Sequence, residues 1–421
     1  MRRALELGRT PGPSLPLRFL LTAPWFGVAA GLLLAWHGGD ALASRWSGIT
    51  LAMVHLLTLG FLSMTMAGSL LQMLPVVAGL PLRGERLGRC SCPLLAAGTV
   101  LLALAFATGA APLFAAAAAT LAGAFALLLG CLLPTVWRRD GAPASMLHIV
   151  RGMRSAAAML AATVCAGLAL AAWLAGGPAM PALALTDVHA GLGLVGWVTL
   201  LVAAVSFQVL PMFQGTSPYP APVVRWLVPA LALALAAWAA ARWFDAPWRD
   251  AFGMAGAAGT AAWIAAGWRL LARRRSTPDP TTAHWRLALA SLAAACVFAW
   301  PGPAGDARTL FTGVAFLVGF AMTVVDAMLV KIVPFLLWYH MQERAAPGTR
   351  VPKAIELVPA SRIRAQFRCH SAAVGLGMLA CWMPVLAKPA GLMLVADCLL
   401  LAASLSAPLL RHRRLLYLQP S

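Results

Sequence analysis

The chain alternates long apolar runs with short polar breaks. A run of about 20 apolar residues is long enough to cross a bilayer as a helix. Such runs predict twelve spans, near 18–36, 49–78, 93–111, 113–136, 156–175, 186–213, 223–242, 251–271, 286–302, 308–338, 371–388 and 390–409. The breaks fall into two sets. The basic set comprises the N-terminus with Arg2, Arg3, Arg9 and Arg18, then Arg83, Arg86 and Arg89, then Arg138, Arg139, Arg151 and Arg154. It continues with Arg273, Arg274 and Arg275, the segment from Arg344 to Arg368, and the tail with Arg411, Arg413 and Arg414. The other breaks, such as His37 to Trp46, are short and nearly charge-balanced. With twelve spans, all the basic segments fall on one side, which places both termini in the cytoplasm. The break after span six, with only Arg225 nearby, carries little of this signal.

A pattern repeats inside three of the runs: His55 to Gly79, His189 to Gly215, and Val318 to Phe335. Each holds a Gly followed by an aromatic residue, Gly60-Phe61, Gly196-Trp197 and Gly319-Phe320. Twelve residues after that Gly stands a polar side chain, Gln72, Gln208 or Lys331, and three residues later a Pro, Pro75, Pro211 or Pro334. The glycines are 136 and then 123 residues apart, and the repeats fall on spans two, six and ten. A fixed period of this kind decides the architecture. The expected fold is an all-α polytopic membrane protein of twelve transmembrane helices in three pseudo-repeated four-helix units, about 1–136, 137–272 and 273–421. No separate soluble domain is expected. The cytoplasmic stretch 341–368 and residues 141–154 have the mixed apolar and Arg character of short interfacial helices. Within the repeat, Gly60, Gly68, Gly193, Gly196 and Gly319 permit close helix approach, and each late Pro removes a backbone donor near a helix end. Packing, an interhelical hydrogen bond from the Gln and a Pro kink account for the motif without any chemistry.

Composition agrees. The chain is 61% hydrophobic and 11% charged, which excludes an ordinary soluble domain. The net charge of +19 does not imply nucleic acid, because the Arg residues sit in the breaks between apolar runs. The basic start before an apolar run resembles a signal peptide. It lacks a small-x-small cleavage pattern and is expected to remain as the first span. Five of the eight Cys (Cys131, Cys165, Cys296, Cys381 and Cys398) stand singly in apolar segments, so no disulfide framework is implied.

Ionisable groups at membrane depth cost about 2.5–3.5 kcal/mol each on insertion scales and so mark candidate function. His55 and His189 open spans two and six in the non-cytoplasmic half, where imidazole could bind haem iron or copper. They are not register-equivalent: His55 precedes its Gly by five residues, His189 by seven. His37, ending span one, could reach the same site. Gln72, Gln208, Asp326 and Lys331 form a candidate polar pathway; Lys331 alternatively snorkels to the cytoplasmic face. His340 and His370, with Cys369, Cys90 and Cys92, could make a soft metal site, though at no recognised zinc spacing. Met66 and Met73 fall on the helical face of His55, where a packing role is the plain reading. His148, His284 and His412 are expected at the interface or in solvent.

Twelve spans in three units, with a His at the outer end of span two, resemble subunit I of the haem–copper oxidases. The pattern His55, Gly60, Phe61, Gly68, Pro75, Gly79 is similar to that of the NnrS family, twelve-span haem- and copper-containing proteins linked to nitric oxide and denitrification. The resemblance covers the whole chain in layout and spans two, six and ten in motif. It implies that His55 matches the low-spin haem ligand and that His189 sits on the span that supplies copper. It also breaks down in places. Span ten has Thr312, Val314 and Asp326 where the oxidases have His, span seven has no His pair, and none of Tyr219, Tyr339 and Tyr417 occupies the span-six position of the oxidase site.

The expectation is therefore a multi-pass protein of a bacterial inner membrane, binding haem and possibly copper through His55 and His189. Its expected role is in nitric oxide response, denitrification or respiratory-chain assembly, not oxygen reduction. Its partners would be the lipid bilayer and respiratory-chain subunits. Two other classes fit the same sequence: a small-solute or proton-coupled transporter, and a cofactor-free membrane scaffold.

Overall fold

The computed structural model describes residues 12–76, 79–138, 146–274, 277–299, 305–345 and 351–417. Arg2, Arg3, Arg9, Arg139, Arg275 and Arg350 lie outside the described residues, as do the side chains of Arg344, Arg411, His412, Arg413, Arg414 and Tyr417. Helix is the regular secondary structure found among the described residues. The long helices are α1 (Ser14–His37), α2 (Gly48–Val76), α3 (Glu85–Thr108), α4 (Ala111–Val136), α5 (Leu147–Leu174) and α6 (Ala182–Gln214). They continue with α7 (Ala221–Trp243), α8 (Arg249–Ala272), α9 (Thr282–Phe298), α10 (Asp306–Glu343), α11 (Ala360–Ala380) and α12 (Ala387–Tyr417). A helix thus stands at each predicted span.

Nine of these helices are long and apolar enough to cross a membrane. The other three are α8, α9 and α11. Helix α9 has 17 residues, which at 1.5 Å per residue is about 25 Å, short of a hydrocarbon core of about 30 Å. Helix α8 begins on Arg249-Asp250, is interrupted by Gly253, Gly256 and Gly259, and carries Arg269 near its end. Helix α11 starts on Arg362, Arg364 and Arg368.

The long helices close into a ring. Helix α1 packs on α12, α4 on α5, and α8 on α9, so successive groups of four adjoin. The repeat helices α2, α6 and α10 are the most enclosed, and α2 touches α10 across the interior.

Each repeat helix changes winding at its motif. Leu56–Ser63, Leu192–Thr199 and Ala315–Met322 are π-helical, eight residues each, and in every case the Gly is the fifth residue of the segment. Single π-bulges are rare and an eight-residue stretch more so; three in one register are a property of the repeat. The Gly residues supply part of the cause. A Cβ on Gly60 would fall 2.2 Å from Phe26 of α1, one on Gly196 would fall 2.7 Å from Met159 of α5, and one on Gly319 would fall 2.6 Å from Ser291 of α9. Each repeat helix therefore lies against the first helix of its own predicted unit, at a contact open only to glycine. In α6 and α10 a hydroxyl caps the widened ladder: Thr199 donates to the Leu194 carbonyl, five residues back, and Thr323 to the Gly319 carbonyl, four residues back, with the Val318 carbonyl 3.1 Å away.

Two expectations, for 341–368 and for 141–154, change. Helix α10 runs on through Glu343, and α11 starts at Ala360 instead of 371; between them lies one turn, Ala354–Leu357. The Arg residues that mark this region as a loop lie on the outward face of α11, whose other face (Ile363, Gln366, His370, Ala373, Val374) is buried. Likewise Leu147–Arg154 forms the first turns of α5, and Arg154 donates to the carbonyls of Val136 and Arg138 at the end of α4.

Candidate functional site

His55 and His189 come together. The His55 and His189 rings lie with centroids 6.4 Å apart and planes 17° from parallel. His55 also stacks against Phe106 of α3, at 5.0 Å and 24°. Each ring is held through Nδ1: that of His55 bonds the Leu51 carbonyl at 2.8 Å, one turn back, and that of His189 bonds the Thr163 carbonyl of α5 at 3.0 Å. A nitrogen that bonds a carbonyl carries its proton, so in both neutral rings Nε2 holds the lone pair. That is the arrangement of a metal-ligating histidine, whose second nitrogen donates to a backbone carbonyl or carboxylate. Helix α5 leaves room for the ring at Gly167, where a Cβ would lie 2.8 Å from His189 Cε1. His37 ends α1 half-buried and makes no hydrogen bond or ring contact with either histidine.

A separate cavity of about 670 Å³ occupies the same end of the bundle, away from the termini. Its walls are mostly apolar. Helix α2 contributes Thr50, Met53, Val54 and Leu57, and α6 contributes Asp187, Ala190, Gly191 and Leu194. These positions follow the three-four spacing of one helical face, and His55 and His189 lie off that face. The cavity and the imidazole pair are thus on different sides of α2 and α6. The mouth is charged: Asp187 accepts from Arg242 Nε at 2.9 Å and pairs with Arg45 at 3.4 Å. Thr312 and Val314 of α10 line the cavity.

Asp326 does not accompany them. It lies beyond the π segment of α10, fully buried, in a cluster with His370 of α11 and Asp397 of α12. His370 Nδ1 is 2.7 Å from Asp397 Oδ2 and 3.2 Å from Asp326 Oδ2. Gln366 Nε2 donates to Asp397 Oδ1 at 2.6 Å and to Asp326 Oδ2 at 2.9 Å, while its Oε1 accepts from His284 Nε2 at 3.1 Å. His370 Nε2 meets Thr323 Oγ1 at 2.7 Å. His370 is therefore interior, not at a cytoplasmic helix end, because α11 begins a full three turns earlier than its apolar run. His284 is likewise interior instead of solvated: it is fully buried and stacks on Phe367 at 4.5 Å. Among the described residues this is the one place where three His, Cys, Asp or Glu groups could share an ion. The soft site of Cys90, Cys92, Cys369, His340 and His370 is not assembled. Asp397 is absent from the candidates read in the sequence, although a carboxylate inside the run LMLVADCLLLAA is the signal that membrane-depth charge provides.

The remaining candidates take structural places. Lys331 donates to Asp279 Oδ2 at 2.6 Å in the α8–α9 loop, which is the snorkelling alternative. Burial pushes the Asp279 carboxyl up, but the hydrogen bonds from Lys331 and from the Thr281 backbone and hydroxyl outweigh it, so its pKa sits below the usual carboxylate range. Thr281 and Thr282 tie this loop to Gln214 at the end of α6. Gln72 is buried with Oε1 unbonded, and neither Gln72 nor Gln208 bonds Lys331. Met66 and Met73 are core packing. Tyr219, in the α6–α7 loop, packs edge-on to Phe207, and burial pushes its phenol up to about 12.

Comparison with protein-family models and with curated proteins gives no match.

Proposed function

We propose that this integral membrane protein holds one transition-metal centre through the Nε2 atoms of His55 and His189. The carrying observation is the pair itself. Two imidazoles from different helices lie side by side, each with Nδ1 committed to a carbonyl and Nε2 left with a lone pair. A metal ion, if bound, would be held by His55 and His189, whose ring centroids lie 6.4 Å apart. The residues fit the group the resemblance implies. Haem iron is one occupant and copper(I) the other, the latter complete with two imidazoles alone. The bound centre would supply reversible one-electron chemistry or gas binding; the protein's part is to fix both tautomers and exclude water behind Phe106.

In this reading the chain has twelve spans in three four-helix units, in a bacterial inner membrane, with both termini cytoplasmic. The in-register π segments and the glycine contacts of α2 on α1, α6 on α5 and α10 on α9 support the threefold arrangement. The role is in nitric oxide response, denitrification or respiratory-chain assembly, with respiratory-chain subunits as partners. Oxygen reduction is not proposed, since α7 and the outer half of α10 bring no His to a second metal. The absorption spectrum of the purified chain, expressed with haem and copper supplied, tests the choice of centre. A Soret band assigns haem. A featureless spectrum with one bound copper assigns copper, and a metal-free colourless protein rejects the proposal.

One observation favours a second reading, passage of a small apolar solute. The cavity of about 670 Å³ lies within the range of ligand pockets of about 300–1,000 Å³. The Gln72–Gln208–Lys331 ring does not support it, because Lys331 is engaged by Asp279.

A further inference from the structure

The second site, inside α9–α12, is independent of the imidazole pair. Its hydrogen bonds fix most of its protons. Thr323 has one hydroxyl hydrogen, directed to the Gly319 carbonyl at 2.7 Å, so Oγ1 accepts from His370 Nε2–H. Between His370 Nδ1 and Asp397 Oδ2, 2.7 Å apart, two lone pairs would repel, so a positive centre lies between them. A tetrahedral ion with bonds of about 2.0–2.2 Å holds its ligand atoms roughly 3.3 Å apart. A charge-assisted N–H···O bond spans about 2.7–2.9 Å, so the centre is a proton. His370 is therefore an imidazolium, donating at both nitrogens.

The carboxylates are not equivalent. Asp397 uses both oxygens, with short bonds from His370 at 2.7 Å and Gln366 at 2.6 Å. Asp326 is held through Oδ2 alone, by a 2.9 Å bond and a 3.2 Å approach, and its Oδ1 is buried without a partner. One imidazolium and two carboxylates leave a net charge of −1 away from water, a costly arrangement. One further proton removes it, and the unbonded oxygen is where it fits.

We propose that Asp326 reversibly binds one proton midway through the bundle, with Asp397 and His370 as a fixed ion pair. Hydronium gives its proton to Asp326 Oδ1 and leaves as water; the reverse step returns it. The groups that face Asp326 are His370 from α11 and Asp397 and the Cys398 thiol from α12, with His284 from α9 one hydrogen bond further away through Gln366. Lys331 and Asp279, and Lys353 and Glu356 of the single turn before α11, stand at the cytoplasmic end. Toward the outer end the sequence Asp397–His370–Thr323–Gly319 ends one residue from Val318, which lines the cavity. The site thus joins the cytoplasmic half of the third helix group to the cavity floor.

Infrared difference spectroscopy on the full chain in liposomes, stepped in pH, tests this. Wild type is expected to show one carboxylic-acid C=O band that shifts in heavy water and vanishes as pH is raised. Asp326→Asn should lose it, and Asp326→Glu should restore it at a shifted position. Asp397→Asn, which keeps Asp326, should retain a carboxylic-acid band. No such band at any pH where the protein stays helical would overturn the proposal, as would a band that survives Asp326→Asn. One divalent ion per chain that disappears in Asp397→Asn would overturn it in favour of a metal site.

Discussion

His55 and His189 meet because they occupy different positions in the repeat. Their helices are related by the same motif, so residues at equivalent positions would point the same way around the ring and could not face each other. A two-residue offset turns one ring by about 200° relative to the other, and the centroids close to 6.4 Å. What reads in the sequence as a failure of register is the condition for contact.

The glycine contacts predict a graded response. Gly60→Ala forces a methyl into the Phe26 ring at 2.2 Å, and Gly319→Ala drives one into Ser291 at 2.6 Å. Overpacking of this kind costs about 1–3 kcal/mol. Gly313→Ala and Gly375→Ala, where nothing lies within 4 Å, should leave thermal unfolding of the detergent-purified protein within a degree or two of wild type. Equal losses in both pairs would show that helix approach at the motif is not what the glycines provide.

Lys331→Met removes the partner of Asp279. Hydrogen bonds to charged groups contribute about 1.5–3 kcal/mol, and a loss near the lower end is expected for this pair, whose side chains are 14% and 16% exposed. The sign with pH follows from Asp279, whose folded pKa is depressed. Its contribution is complete above the ordinary carboxylate value of about 3.9 and disappears as pH falls through the lower folded value. The stability gap between wild type and Lys331→Met should therefore be constant from pH 5 to 8 and close only in stronger acid, about pH 4 and below. A gap that widens in acid would contradict the ion pair.

The predicted topology is checked by labelling. In a cysteine-free background, Arg45→Cys in the loop after α1 should react with an impermeant thiol reagent in intact cells. Ser217→Cys, after α6, should react only once the membrane is opened. Labelling of both from outside would break the twelve-span arrangement and require an even number of crossings between them.

The helices were legible in the sequence because membrane spans are long, uninterrupted and punctuated by Arg. The repeat was legible because its spacing is fixed, although no spacing reveals that Leu56–Ser63 and its counterparts wind as π-helix. The buried cluster was harder to see. His370 and Gln366 sit four residues apart on one face of α11, but Arg362, Arg364 and Arg368 on the other face give the segment the composition of a loop. His284 stands in the first turn of α9, close after the polar stretch Asp279–Thr282, and Asp397 is a single letter in an apolar run. What unites them is convergence of four helices, which composition along one chain does not display.

The imidazole pair is the centre of this account, and metal content tests it most directly. Wild-type protein, expressed with haem and copper supplied and purified in mild detergent, should carry about one equivalent of iron and copper taken together. His55→Ala and His189→Ala should each lose most of it while keeping the helical content of the parent. Protein free of both metals, or metal content unchanged in both variants, would contradict the account.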